Sequence, residues 1–127
     1  MNENSTLTFT GRIRSVRFAL RGIRTMVMSQ QNAWIHAAAT VVVVAAGALV
    51  GLSWPEWCWI VLAIMSVWTA EALNTAFEFL TDVASPNFHP IAEKAKDVAA
   101  GAVLVSATGA AIIGMLVFWP RILSLIE

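Results

Sequence analysis

PEWCWIVLAIMSVWTAEALNTAFEFLTD, residues 55–82, begins as a membrane interior and ends as something else. No charge lies between Trp57 and Ala70, and then Glu71, Asn74, Glu78 and Asp82 follow within twelve residues. A helix crossing a bilayer needs ~20 predominantly apolar residues. The uncharged part is too short to span alone, so a span here carries Glu71, and with it Glu78, into or near the hydrocarbon boundary. At about 100° per residue the four polar side chains fall at about 0°, 300°, 340° and 20°, one narrow stripe of one helix. A charge at membrane depth is costly against lipid. The stripe therefore faces a partner helix, a bound cation or a wet cleft.

The rest of the chain supports a membrane reading. Of 127 residues, 58% are hydrophobic and 13% charged, against about 25% charged in an ordinary soluble domain. Two further segments are long and apolar enough to span: AWIHAAATVVVVAAGALVGL at 33–52, and the uncharged stretch between Asp97 and Arg121. Pro55 suits a helix start and Glu56 its first turn. Ser85-Pro86 ends the second span and Pro90 starts the third. The expected architecture is an all-α single membrane domain over 1–127: a surface helix at about 11–29 and spans at 33–52, 57–84 and 91–119. The polar N-terminus, MNENSTLTFTGR, does not read as a signal peptide. With Cys58 the sole cysteine, no intrachain disulfide can form.

Charge is balanced in total but not along the chain. Arg12, Arg14, Arg17, Arg21 and Arg24 precede the first span, while the later acids are scattered. Ile13, Val16, Leu20, Ile23 and Val27 recur at spacings of three and four, with Arg14, Arg17, Arg21 and Arg24 one position on. This is the pattern of an amphipathic helix lying on a membrane, its arginines toward anionic lipid or phosphate. Basic residues favour the cytoplasmic side. Five arginines before span one, none in the first loop, and Lys94 and Lys96 after span two place the N-terminus and the acidic stripe at the cytoplasmic face. Trp54, Trp57, Trp59 and Trp119 are expected as an interfacial belt at the outer ends, with Trp34 at the inner end. Small residues at Gly47 and Gly51, and at Ala102, Ser106, Ala110 and Gly114, permit close helix packing and self-association.

The stripe is graded in depth. Glu71 lies about 16 Å along the axis from Asp82, at ~1.5 Å per residue. The deepest acid suits a general base for a hydroxyl held in the membrane. Glu78 and Asp82, nearer water, suit a hard cation, which takes oxygen ligands and bridges carboxylate to phosphate. Lys94 and Lys96 can meet phosphate charge. Together these pieces suggest phosphoryl transfer to a lipid hydroxyl. A plainer alternative pairs the acids with arginines of the surface helix. No GxxxxGK[ST], GxGxxG, HExxH, CxxC or GxSxG motif is present, and GAAIIG lies inside a span. Any nucleotide site is thus built from membrane helices, and nothing points to nucleic acid as a partner.

EALNTAFEFLTD, with AKD at 95–97 before an alanine-rich span, resembles the signature of the small prokaryotic diacylglycerol kinase family, which includes undecaprenol kinases. The likeness covers about residues 10–119. It implies a homotrimer of three-span subunits in the bacterial inner membrane, with active sites at the cytoplasmic boundary and Mg²⁺, ATP and a lipid alcohol as cofactor and substrates. By position it implies Glu71 as the catalytic base with Asn74 beside it, and Glu78 as a Mg²⁺ ligand. It further implies Asp82, Lys96 and Asp97 at the nucleotide and substrate site, and Arg14 and Arg17 as a basic N-terminal contact. The junction before span one, SQQNAWIH, has Gln30 where the resemblance implies a second acidic Mg²⁺ ligand. A glutamine carbonyl can ligate Mg²⁺ but brings no charge. NAWIH is closer to the undecaprenol branch than to the diacylglycerol branch. His36 reads as a hydrogen-bonded packing residue, and His89 as a cap of the third span or a neighbour of nucleotide. Two other readings are a small cation or proton transporter, which also uses intramembrane acids, and a non-catalytic assembly protein.

Overall fold

The pattern of apolar runs separated by short polar breaks is realised as four helices in a computed structural model that describes residues 9–126: α1 (Phe9–Ser29), α2 (Gln31–Val50), α3 (Trp54–Ala84) and α4 (Pro90–Ile126). α2, α3 and α4 are each long and apolar enough to cross a membrane. α1 presents both its apolar residues, Ile13, Val16, Leu20 and Ile23, and its arginines to the outside of the bundle. That is the disposition of a helix whose apolar face is left for lipid.

Each break has a local cause. Gln30 alone separates α1 from α2: its backbone is extended (φ −110°, ψ 122°), while its N–H still donates to Met26 O at 3.0 Å. Gly51 closes α2 in the left-handed conformation (φ 69°, ψ 54°), which glycine adopts without a Cβ penalty. The expected packing pair of Gly47 and Gly51 is therefore divided. Gly51 ends the helix, and only Gly47 serves close approach. At the start of α3, Glu56 accepts from the Ser53 N–H at 2.7 Å and from Ser53 Oγ at 2.5 Å. At the start of α4, His89 Nδ1 accepts from the Ile91 N–H at 3.2 Å, the capping role expected of it.

α3 and α4 share the most extensive interface, and each end of it carries an ion pair. Arg121 Nε donates to Glu56 Oε1 at 3.0 Å at one end, and Lys96 meets Asp82 at the other. Arg121 can do so because α4 does not stop near residue 119 as the sequence suggests. It runs through Pro120 to Ile126. A proline inside a helix forfeits one backbone hydrogen bond, and Arg121 and Leu123 beyond it are good helix formers. The apolar core is Leu52, Ile60 and Val117, with Trp57, Ile64 and Phe118 packed against it. Trp57 is thus half-buried against this core. Trp34, Trp54, Trp59 and Trp119 are exposed.

At 31 residues, α3 is about 46 Å long at ~1.5 Å per residue, against a hydrocarbon core of about 30 Å. Measured from Trp57, Glu71 lies about 21 Å along and Glu78 about 31 Å. With the hydrocarbon layer beginning near Trp57, these lengths would put the polar stripe at its far boundary. The small residues of α4 line cavities within the chain. Ala102 and Ser106 line one cavity, Ala110 and Gly114 another, and a Cβ at Gly114 would meet nothing within 4 Å.

Gly47 lies close against Trp57 and Leu52. A Cβ there would stand 2.9 Å from both the Trp57 ring and the Leu52 side chain. The ring cannot yield as a flexible chain end does. Gly47→Ala is expected to destabilise the protein by about 1–3 kcal/mol, read as a lowered thermal midpoint in detergent. Gly114→Ala, which enters open space, should leave the midpoint near wild type.

Candidate active site

The stripe on α3 changes character along its length. Glu71 is fully buried at 0% exposure and Asn74 nearly so at 5%. Glu78 is half-buried and Asp82 exposed. The partners change with depth. Glu78 accepts from Gln30 Nε2 at 2.6 Å and from Asn74 Nδ2 at 3.0 Å. One carboxylate thus takes a donor from the α1–α2 junction and one from its own helix. Asp82 is paired with Lys96 of α4. None of these partners is an arginine of α1, so the plainer reading of the stripe does not hold in this fold.

Glu71 is in a different situation. Its Oε1 and Oε2 are buried without a hydrogen-bond partner, as is Asn74 Oδ1. The nearest group of opposite potential charge is His36, whose Nε2 lies 3.8 Å from Glu71 Oε2. His36 is held by its neighbours. Thr40 Oγ1 donates to the His36 carbonyl at 2.7 Å and accepts from Trp68 Nε1 of α3 at 3.2 Å. These bonds tie α2 to α3 one turn from the Glu71 carboxylate. The sequence placed His36 as a packing residue. The signal that relates it to Glu71 is three-dimensional, since 35 positions separate the two along the chain.

His36 also lines a cavity of about 790 Å³ between α2, α3 and α4. Apart from His36 and Thr40 at one end its walls are apolar, with Val43, Ile60, Ala111 and Phe118 among them. A second cavity, of about 920 Å³ and between α3 and α4, has Asn74 and Lys94 among its lining residues. The stripe is therefore flanked by apolar volume on two sides.

The structure brings together Gln30, Asn74 and Glu78, sets Glu71 against His36, and joins Asp82 to Lys96. It leaves the remaining expected residues apart. Arg14, Arg17 and Asp97 are exposed, and none forms a hydrogen bond or ion pair among the described residues. Among the described residues no group of three or more His, Cys, Asp or Glu is placed to hold a metal. The oxygen donors near Glu78 are its own carboxylate, Asn74 Oδ1 and, with its amide turned, Gln30 Oε1. Mg²⁺ takes oxygen ligands and is often held by one or two carboxylates plus substrate phosphates. The donor set fits that ion with a single protein charge.

Known proteins share this chain's pattern. A family model described as prokaryotic diacylglycerol kinase matches residues 17–118. An undecaprenol kinase of Bacillus subtilis (strain 168) is 43% identical over 109 residues, covering 86% of this chain and 89% of the relative. A diacylglycerol kinase of Synechocystis sp. is 37% identical over 112 residues, covering 87% of this chain and 64% of the relative. The diacylglycerol kinase of Escherichia coli (strain K12) is 28% identical over 126 residues, covering 91% and 95%.

The sealed carboxylate of Glu71 makes a stability test possible. A buried polar group without a partner costs about 1–3 kcal/mol. Glu71→Leu removes that cost in similar volume, so its thermal midpoint in detergent is expected at or above that of wild type. A midpoint well below wild type would mean that Glu71 is a structural support.

Proposed function

Because the chain belongs to the prokaryotic diacylglycerol kinase family and is a lipid kinase, we propose that it transfers the γ-phosphate of ATP to undecaprenol in preference to diacylglycerol. The graded burial of the α3 stripe carries this reading: a sealed carboxylate, then a hydrogen-bonded one, then a solvated ion pair. A lipid alcohol and a nucleotide must approach one another from two solvents, and such a gradient meets both. The preference for undecaprenol rests on the relative of that name, which is 43% identical to this chain against 37% and 28% for the diacylglycerol kinases.

In this mechanism the hydrocarbon chain of the acceptor lies in the apolar cavity that ends at His36. Its hydroxyl comes to Glu71, which is positioned as general base. The hydroxyl oxygen attacks the γ-phosphorus, its proton passes to Glu71, and the bond to the β–γ bridging oxygen breaks to release ADP. Glu78 and the carbonyl oxygens of Asn74 and Gln30 would hold Mg²⁺, which would supply positive charge to offset that of the phosphates. Lys96, anchored by Asp82, and Lys94 meet the phosphates. Asp97, Arg14 and Arg17 complete the nucleotide and headgroup contacts from the solvated side. The N-terminus and the site face the cytoplasm of a bacterial inner membrane. Three subunits assemble through surfaces that include the glycines of α4, where an added Cβ would meet nothing within 4 Å. A transporter reading is less well supported: between Glu71 and Glu56 α3 carries no charged residue to continue a pathway.

Transfer of labelled γ-phosphate to undecaprenol and to diacylglycerol, offered separately with Mg²⁺, tests the proposal. Wild type is expected to label undecaprenol faster. Glu71→Gln is expected to lose about 10²–10⁴ in rate, the usual contribution of a general base, with the fold intact. Glu78→Gln is expected to lose activity with a raised Mg²⁺ requirement. Labelling of neither lipid by wild type would overturn the reading.

A further inference from the structure

Gln30 is the one residue between α1 and α2, and its extended backbone carries the side chain back onto α3. Chemistry dictates which end of its amide meets Glu78. The amide oxygen would repel the carboxylate, whereas the nitrogen donates to it at 2.6 Å. Asn74 places a second amide nitrogen on the other carboxylate oxygen at 3.0 Å. Both oxygens of Glu78 therefore face the positive ends of neutral amides, and a cation approaching along either direction meets N–H groups first.

To become a ligand, Gln30 must turn its amide so that Oε1 replaces Nε2. The terminal torsion of glutamine is broad and roughly two-fold, so the turn itself is easy. What opposes it is the loss of a hydrogen bond to a charged acceptor. Even after the turn, Gln30, Asn74 and Glu78 offer a divalent cation one negative charge, and affinity for hard cations follows ligand charge count. A cation already bound to phosphates needs far less. It brings its own anionic oxygens and asks of the protein only Glu78 and carbonyl oxygens, of which Asn74 Oδ1 is buried without a hydrogen-bond partner.

We propose that Gln30 is an amide latch on Glu78, so that this site takes its divalent cation as the nucleotide complex and not as the free ion. The proposal rests on the lipid-kinase reading above, and adds to it the form in which the cation enters and the residue that selects that form.

Mn²⁺ as probe separates the outcomes. Free Mn²⁺ uptake by the full-length protein in detergent is followed by loss of the aqueous electron paramagnetic resonance signal, without nucleotide. Binding of labelled ADP, with and without Mn²⁺, is followed by equilibrium dialysis. Wild type is expected to bind the Mn²⁺–ADP complex at least about tenfold more tightly than free Mn²⁺. Gln30→Glu, which supplies a second carboxylate, is expected to bind free Mn²⁺ at least about tenfold more tightly than wild type. Both the gain in Gln30→Glu and the Mn²⁺-dependent ADP binding of wild type should vanish when Glu78→Gln is introduced.

The latch is overturned if wild type binds free Mn²⁺ as tightly as Gln30→Glu does, or if the gain in Gln30→Glu survives Glu78→Gln. Should Gln30→Glu not fold, wild type alone decides: tight free-ion uptake that Glu78→Gln abolishes sinks the proposal. Lipid phosphorylation by the same wild-type preparation keeps the two readings apart. Tight free-ion binding by a protein that phosphorylates lipid defeats only the latch. A protein that phosphorylates neither lipid defeats the kinase reading beneath it.

Discussion

A carboxylate carried to membrane depth cannot be left against lipid, and the arrangement of this protein follows from how that constraint is met on α3. Glu71 is sealed inside the chain beside His36. Glu78 is met by two amides and Asp82 by a lysine. Each solution draws on a different element: α2 for Glu71, the α1–α2 junction for Glu78, and α4 for Asp82. The stripe thus obliges α1, α2 and α4 to converge on the same end of α3. The convergence gathers Gln30, His36, Asn74, Glu78, Asp82 and Lys96 at that end, while the Glu71 carboxylate stays without a hydrogen bond.

The α3–α4 pair is the frame on which this depends. It is pinned at one end by Glu56 and Arg121 and at the other by Asp82 and Lys96. Between the pins, packing is uneven. Trp57 closes on Gly47 and the Leu52–Ile60–Val117 core at the end remote from the stripe. One cavity runs from that core, at Ile60 and Phe118, to His36, and a second lies against Asn74.

Much of this was legible in the sequence for physical reasons. The hydrocarbon thickness sets a minimum apolar length, so the three spans could be counted. Helical periodicity alone put Glu71, Asn74, Glu78 and Asp82 on one face, and their order along α3 gave the burial gradient. Other features were not legible. Trp57 and Trp59 look alike as tryptophans near a span end, yet one is half-buried against the core and the other exposed. Gly47 and Gly51 look like one packing motif, yet a helix end falls between their roles. Pro120 looks like a stop, yet α4 continues far enough for Arg121 to reach Glu56.

Composition and spacing by themselves determined that this is a helical membrane chain with an acidic stripe at one end of its second span. They could do so because burial in hydrocarbon and the turn of a helix act on each segment separately. Only the tertiary structure decided what each polar group touches: that Gln30 donates to Glu78, that His36 stands against Glu71, and that the arginines of α1 leave the acids alone. Those pairings join residues tens of positions apart. They depend on how the helices are rotated and offset against one another, which no single segment encodes.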